Sequence, residues 1–115
     1  MPTVAPSAAI PDVIYEISNK KLGMTTVVGL DGILIGIITD GDLRRLMQRR
    51  RGETFDLTAA ECLTPNPATI SPDEFASLAL NLMEQRKITS VVVVDRERRP
   101  LGVVHLHDLW TLELF

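Results

Sequence analysis

The sequence predicts an α/β (α+β) chain made of two copies of one small unit, and three observations predict it. Residues recur at a fixed offset of 66 without a gap, as in Thr3/Thr69, Pro6/Pro72, Leu22/Ile88, Val27/Val93, Val28/Val94, Gly36/Gly102, Asp42/Asp108 and Leu46/Leu112. Within each copy, apolar residues switch between helical and strand spacing. Each copy also holds a stretch that runs glycine, two β-branched residues and a short polar turn, then Asp-Leu opening an amphipathic segment. These are Gly36-Ile37-Ile38-Thr39-Asp40-Gly41-Asp42-Leu43 and Gly102-Val103-Val104-His105-Leu106-His107-Asp108-Leu109. Two copies are too few for a solenoid, so a pseudo-twofold pair is the expected arrangement.

The elements follow in order. Thr3-Val4 and Thr69-Ile70 read as short extended pieces before Pro6 and Pro72. Ile10, Val13, Ile14 and Ile17 keep the i, i+3, i+4, i+7 spacing of an amphipathic helix, and Phe75, Leu78, Ala79, Leu82 and Met83 do the same. Ser71-Pro72-Asp73-Glu74 has the form of a capping box with proline at the first helical position, while Pro11 marks the start of the first helix. Thr25-Thr26-Val27-Val28 and Val91-Val92-Val93-Val94 are strands. Asp31-Gly32 signals a hairpin returning through Ile33 to Ile38, and Asp95 to Pro100 forms the matching loop. Leu43-Leu46-Met47 and Leu109-Leu112 close each unit with a second helix, giving β-α-β-β-α twice. The four-valine run suits a strand buried on both faces, so the two sheets are expected to share a core. Residues 1–50 form the first repeat, 51–66 a linker and 67–115 the second. In the linker, Arg49-Arg50-Arg51-Gly52 is expected to end a helix, Asp56 to Glu61 to form one helical turn, and Thr64-Pro65-Asn66-Pro67 to lead rigidly into the second copy.

Composition narrows the function. A chain of 115 residues is one domain by size, or two half-domains, and 45% hydrophobic with 23% charged residues is ordinary for a globular protein. A net charge of −3 gives no general attraction to nucleic acid. The one cysteine, Cys62, excludes an internal disulfide and fits a reducing compartment. No apolar run reaches the ~20 residues of a membrane span, and Met1-Pro2-Thr3 begins no secretory signal, so a cytoplasmic location without membrane attachment is expected.

A strand that feeds a helix through a polar turn leaves backbone N–H groups free at the helix start, where anions bind. Thr39 and Asp42, a hydroxyl three residues before a carboxylate, can together hold a phosphate and the hydroxyls of a sugar. The same pair can equally cap the helix and nothing more. His105, His107 and Asp108 invite a metal, but two imidazoles and one carboxylate make a thin ligand set, and no metal site is expected. Arg44, Arg45, Arg49, Arg50 and Arg51 lack the interleaved aromatics of a nucleic-acid surface and read as a solvated helix end, with some anion attraction near the first site. Cys62 reads as inert, and Trp110 as an interface residue. No nucleophile–base constellation or paired carboxylates are present, so this chain alone is not expected to catalyse a reaction.

These stretches resemble the CBS domain, which occurs in tandem pairs. The matching motif is glycine, two apolar residues, Thr or Ser, two residues, then Asp, as in Gly36 to Asp42, with Thr64-Pro65-Asn66-Pro67 before Thr69-Ile70-Ser71-Pro72-Asp73 as the entry to a second repeat. Lys21-Leu22-Gly23-Met24-Thr25, Thr39-Asp40-Gly41-Asp42-Leu43-Arg44-Arg45 and His105-Leu106-His107-Asp108-Leu109 resemble more closely the CBS pair of D-arabinose 5-phosphate isomerases. In that family a separate sugar-isomerase (SIS) domain acts on sugar phosphates for the synthesis of Kdo, a lipopolysaccharide sugar. The resemblance therefore implies a parent isomerase whose SIS domain lies outside this chain.

It also implies two composite nucleotide sites. One would use Thr39 for phosphate and Asp42 for ribose, with Thr69, Ile70, Ile88, Thr89 and Ser90 of the other repeat, the base held around Ile70 and Ile88. The other, weaker, would use His105 and Asp108 with Thr3, Val4, Leu22, Gly23 and Met24. His105 stands where a hydroxyl residue is usual, and Gly29 stands where an Asp commonly ends the first strand, as Asp95 does in the second copy. The implied ligands are CMP-Kdo, CMP or the adenine nucleotides AMP and ATP, with no required cofactor, and the implied assembly is a homodimer through the helices. A regulatory ligand-binding module is the leading expectation, and a ligand-free assembly module of the same enzyme is the alternative.

Overall fold

The computed structural model describes residues 1–20, 23–74 and 76–107. The chain forms two compact units, Met1–Asn66 and Pro67–Phe115.

The first unit runs β1 (Thr3–Val4), α1 (Ile10–Lys20), β2 (Met24–Val28), β3 (Leu34–Thr39), α2 (Asp40–Arg50), a 3-10 turn (Arg51–Asp56), α3 (Ala59–Cys62) and β4 (Thr64–Pro65). Its sheet has the order β1-β2-β3-β4, with β1 parallel to β2 and the other pairs antiparallel. Ile10, Val13 and Ile17 bury the apolar stripe of α1 against Val4, Val27, Ile38 and Leu43. The stretch after α2 is stitched to the loop before α1. Ile10 N–H donates to the Leu57 carbonyl (3.3 Å), Ala59 N–H to Ala8 (2.8 Å) and Ala60 N–H to Pro6 (2.9 Å).

The second unit runs β5 (Thr69–Ile70), α4 (Ala76–Arg86), β6 (Ser90–Val94) and β7 (Pro100–His105), in a sheet of order β5-β6-β7. Every one of these bounds is a bound of the first unit advanced by 66 residues. The register agrees as well: Met24 faces Thr39 and Ser90 faces His105, with a bulge between Val27 and Val28 in one unit and between Val93 and Val94 in the other. Ala68, Ile70, Ala79, Met83 and Val91 form the core of this unit.

Several local expectations are corrected. The hairpin strand begins at Leu34 instead of Ile33, because Gly29 N–H donates to the Ile33 carbonyl (3.0 Å) and ties Ile33 into the turn, where Gly32 has φ 81°. Gly52 does not end α2. Arg51 itself takes the left-handed conformation (φ 53°), donates its N–H to the Met47 carbonyl and leads into the 3-10 turn. Asp56 to Glu61 is not one helical turn but straddles the end of the 3-10 turn and the start of α3, with Leu57 extended between them. Pro72 lies in a turn ahead of α4, which begins at Ala76. The box chemistry survives there: Ser71 N–H donates to Glu74 Oε1 (2.7 Å) and Glu74 N–H to the Ser71 carbonyl (3.1 Å). On α4, Ala79 and Met83 are buried, while Leu78 is exposed. Leu22, Phe75, Asp108, Leu109, Trp110 and Leu112 lie outside the described residues, and with them the closing helix of the second repeat beyond its first residues, Leu106 and His107. Among the described residues no helix is long and apolar enough to cross a membrane.

Candidate ligand site

The start of α2 is built as the motif suggested. Thr39, the last residue of β3, is extended (φ −105°, ψ 164°) and serves as N-cap. Its hydroxyl accepts from Asp42 N–H (3.1 Å), and Asp42 Oδ2 accepts from Thr39 N–H (3.0 Å). Two of the helix's unpaired N–H groups are thereby satisfied by each other's side chains. Asp40 N–H is satisfied too, by the carbonyl of Gly23 (2.9 Å), which the left-handed backbone of Gly23 (φ 69°) presents to it. The capping reading of Thr39 and Asp42 is therefore realised in the fold.

Asp42 does more than cap. Arg45 Nη2 donates to its Oδ1 (2.7 Å), and the Thr64 hydroxyl, arriving from β4, donates to Oδ2 (3.4 Å). A Cβ at Gly41 would sit 3.2 Å from the Arg45 guanidinium, which would have to shift by a few tenths of an ångström. The carboxylate is about one-fifth exposed, and it opens on a cavity of about 520 Å³ lined by Asp42, Arg45, Leu46, Arg49, Cys62 and Thr64, with Gln48, Glu61 and Leu63 at its sides. The wall on the α3 side carries a second carboxylate, Glu61, whose Oε1 accepts from Thr58 N–H and hydroxyl (3.1 Å each). Burial, with Glu61 second, pushes the Cys62 thiol above the ordinary cysteine range, against the opposing pull of Arg50 and Arg49. The thiol is thus held protonated at neutral pH, in keeping with an inert cysteine.

Sequence reasoning missed three members of this site. Arg45 belongs to a run of arginines that reads as a solvated helix end, although it follows Asp42 at the i+3 spacing of a helix-surface ion pair. Thr64 falls in the linker by sequence, and its approach is signalled only by Gly36, where a Cβ would fall 2.6 Å from the Thr64 carbonyl. Glu61 carried no signal beyond a possible Thr58 cap.

The remaining expected residues fall on the repeated frame. Thr69 and Ile70 form β5, with Ile70 buried, and face Val92 and Val93. Ile88 is half-buried against the second core, Ser90 opens β6, and the exposed Thr89 offers its carbonyl to Leu106 N–H (2.7 Å), the counterpart of Gly23. In the first unit Thr3 is exposed, Val4 and Met24 are buried, and Leu22 and Asp108 are outside the described residues. His105 takes over part of the role of Thr39, with its Nδ1 accepting from His107 N–H (3.3 Å). Among the described residues no group of three His, Cys, Asp or Glu is placed to hold a metal ion.

Comparison with known proteins matches residues 1–49 and 59–109 to the model described as "CBS domain". The arabinose 5-phosphate isomerase KdsD of Francisella tularensis is 45% identical over 99% of this chain. This chain spans 34% of that relative, about a third of its length. A CBS-domain-containing protein from Agrobacterium tumefaciens superposes with a TM-score of 0.88 at 20% identity, covering 97% of this chain and 83% of that one. The CBS domain pair of protein MJ0100, in complex with 5′-methylthioadenosine and S-adenosyl-L-methionine, superposes with a TM-score of 0.87 at 26% identity, covering 96% and 86%.

Proposed function

The chain belongs to the CBS domain family, and on that premise we propose that it is a nucleotide-binding regulatory module of a sugar-phosphate isomerase of the arabinose 5-phosphate type. The observation that carries the reading is Asp42: a carboxylate fixed by the cap of α2, flanked by Arg45 and Thr64, at the mouth of a cavity of about 520 Å³. A fixed carboxylate accepts two vicinal ribose hydroxyls well, and the cationic side chains of Arg45 and Arg49 suit a phosphate beside them. The residues that the resemblance adds, Thr69, Ile70, Ile88, Thr89 and Ser90, enter the proposal by position alone, as do those of the weaker second site. The adenosyl ligands of the MJ0100 pair favour adenine nucleotides. CMP and CMP-Kdo stay candidates through the lipopolysaccharide pathway of the proposed parent, where an end product is a fitting brake. A homodimer belongs to the proposal, supported by Tyr15, Met47 and Leu78 exposed on α1, α2 and α4, as does a cytoplasmic location.

Calorimetric titration with AMP, ATP, CMP and CMP-Kdo tests the reading. A bound nucleotide at ~100 times its dissociation constant stabilises the fold by about 2.7 kcal/mol. Asp42→Asn keeps the shape of the residue but removes a charge-assisted bond of roughly 1.5–3 kcal/mol, a tenfold to hundredfold loss of affinity. A second reading has an observation of its own: both carboxylate oxygens of Asp42 already have a partner within the first unit, which suits a ligand-free assembly module. No heat of binding from any of the four nucleotides, with a dimeric mass by light scattering, favours that reading.

A further inference from the structure

The arginines of α2 are not equivalent. Arg45 is paired with Asp42 (2.7 Å), and Arg50 faces Glu53 (3.7 Å). Arg44 and Arg49 form no ion pair among the described residues. All four are exposed, and of the four Arg45 and Arg49 border the cavity beside Asp42. Burial raises the Cys62 thiol, and Arg50 and Arg49 are the cations that pull against it, so the charge of Arg49 is felt on the α3 wall as well. The other carboxylate of the cavity, Glu61, has its Oε1 engaged by the Thr58 N–H and hydroxyl and forms no ion pair with Arg49. An arginine in the last turn of a helix offsets the dipole, but Arg50 meets that need without bordering the cavity.

Asp42, Arg45 and Arg49 are spaced i, i+3, i+7, so they form one row along α2 with neighbours about 5–6 Å apart. All three lie on one helix, and α2 alone fixes their spacing. The row spans about 10 Å of helix, and the cavity of about 520 Å³ falls within the roughly 300–1,000 Å³ of small-ligand sites. A ribose whose hydroxyls meet Asp42 has its first phosphate beside Arg45. The charge of Arg45 is already balanced by Asp42, and the unmatched cation stands one turn farther on. We infer that Arg49 is a specificity residue of this site, selecting nucleotides that carry a second anionic group, phosphate or carboxylate, beyond the first phosphate. The inference deepens the nucleotide reading and rests on it. A nucleoside monophosphate leaves Arg49 facing water and gains nothing from it.

The test titrates the full chain calorimetrically with AMP and ADP, and with CMP, CDP and CMP-Kdo, each set sharing a nucleoside and a first phosphate. The ligands with a second anionic group are expected to bind about five- to tenfold more tightly than the monophosphates. A gain with ADP and CDP identifies phosphate as the second group, and a gain with CMP-Kdo a carboxylate. Arg49→Gln keeps a good helix former at an exposed position, so the fold is retained. It is expected to remove the gain while leaving monophosphate affinity within about twofold. Arg49→Lys should keep part of the gain. Arg44→Gln, an equal loss of charge outside the cavity, should keep all of it. The inference fails, with the nucleotide reading intact, if AMP or CMP binds through Asp42 as tightly as the other three. It fails likewise if Arg49→Gln keeps the gain, or if Arg44→Gln removes as much. Absence of binding by all five overturns both.

Discussion

The two repeats share strand bounds, register and bulge, yet solve the same local problems with different atoms, and that separates what the frame requires from what each copy adds. The hairpin turn shows it best. In the second unit Asp95 Oδ1 accepts from Glu97 N–H (2.9 Å) and Arg99 N–H (2.8 Å). In the first, the position of Asp95 is Gly29, and the N–H matching that of Arg99 belongs to Ile33. It donates to Asp31 Oδ1 (3.1 Å) instead. The left-handed position of the turn is Gly32 (φ 81°) in one copy and Arg98 (φ 65°) in the other. The frame demands a carboxylate under that N–H, and two different sequence positions supply it.

The widest break in the equivalence should come at the paired glycines. Gly36→Ala forces a Cβ into the Thr64 carbonyl and should destabilise the chain by about 1–3 kcal/mol, as overpacking does. Gly102→Ala meets nothing among the described residues and should stabilise β7 by about 0.5–1 kcal/mol through the lost freedom of glycine. Urea unfolding of both variants measures the contrast. Equal effects would mean that the two edges are alike after all.

Exchanging the caps sharpens the comparison at the next level. Thr39→His removes the hydroxyl that holds Asp42 N–H and should lower stability by about 1 kcal/mol, the usual worth of an N-cap. His105→Thr restores the residue of the first copy and should be neutral within about 0.5 kcal/mol by thermal melting.

The turn is next. Asp95→Ala strips the Glu97 and Arg99 N–H groups of their acceptor and Asp31→Ala strips that of Ile33, and each should cost about 1 kcal/mol by urea unfolding. Gly29→Asp alone sets a side chain 3.0 Å from Asp31 Oδ1 and should destabilise. Combined with Asp31→Asn it should recover, which a double-mutant cycle reads directly.

Cys62 gives the smallest effect, in a wall that the described part of the second unit does not have. Its raised pKa leaves less thiolate at pH 8 than an ordinary cysteine, so alkylation by iodoacetamide should be slow and climb at higher pH. Glu61→Gln should speed it and Arg49→Gln slow it, each a few-fold. The opposite order would remove the electrostatic account of that wall.

Much of the fold was legible because the repeat lets each copy correct the other: a weak hairpin signal in one is backed by a stronger one 66 residues away. The cap at Thr39 and Asp42 was legible for the same reason, its residue types being fixed by the chemistry of a helix start. What could not be read were contacts set by tertiary approach. Spacing offers Arg44 to Asp40 at i+4 as readily as Arg45 to Asp42 at i+3, and it is Arg45 that reaches Asp42. Thr64 contacts Asp42 across 22 positions of chain, a distance over which no periodicity speaks. The left-handed turn at Arg51 was hidden because Gly52, the better candidate by propensity, stands beside it.

The bulge that both copies carry has a consequence for how reliably the chain pairs. Ser90-Val91-Val92-Val93-Val94 is nearly uniform, so a slip by one residue would exchange valine for valine and leave its apolar faces almost unchanged. Such a strand is also the type that stacks with its own kind in aggregates when exposed. The kink between Val93 and Val94 cannot slide without breaking the turn that Asp95 holds, and Pro100 opposite Val94 offers no N–H to a misplaced neighbour. Misalignment and self-association of the central strand are thus opposed at its C-terminal end, because its middle carries no information to oppose them.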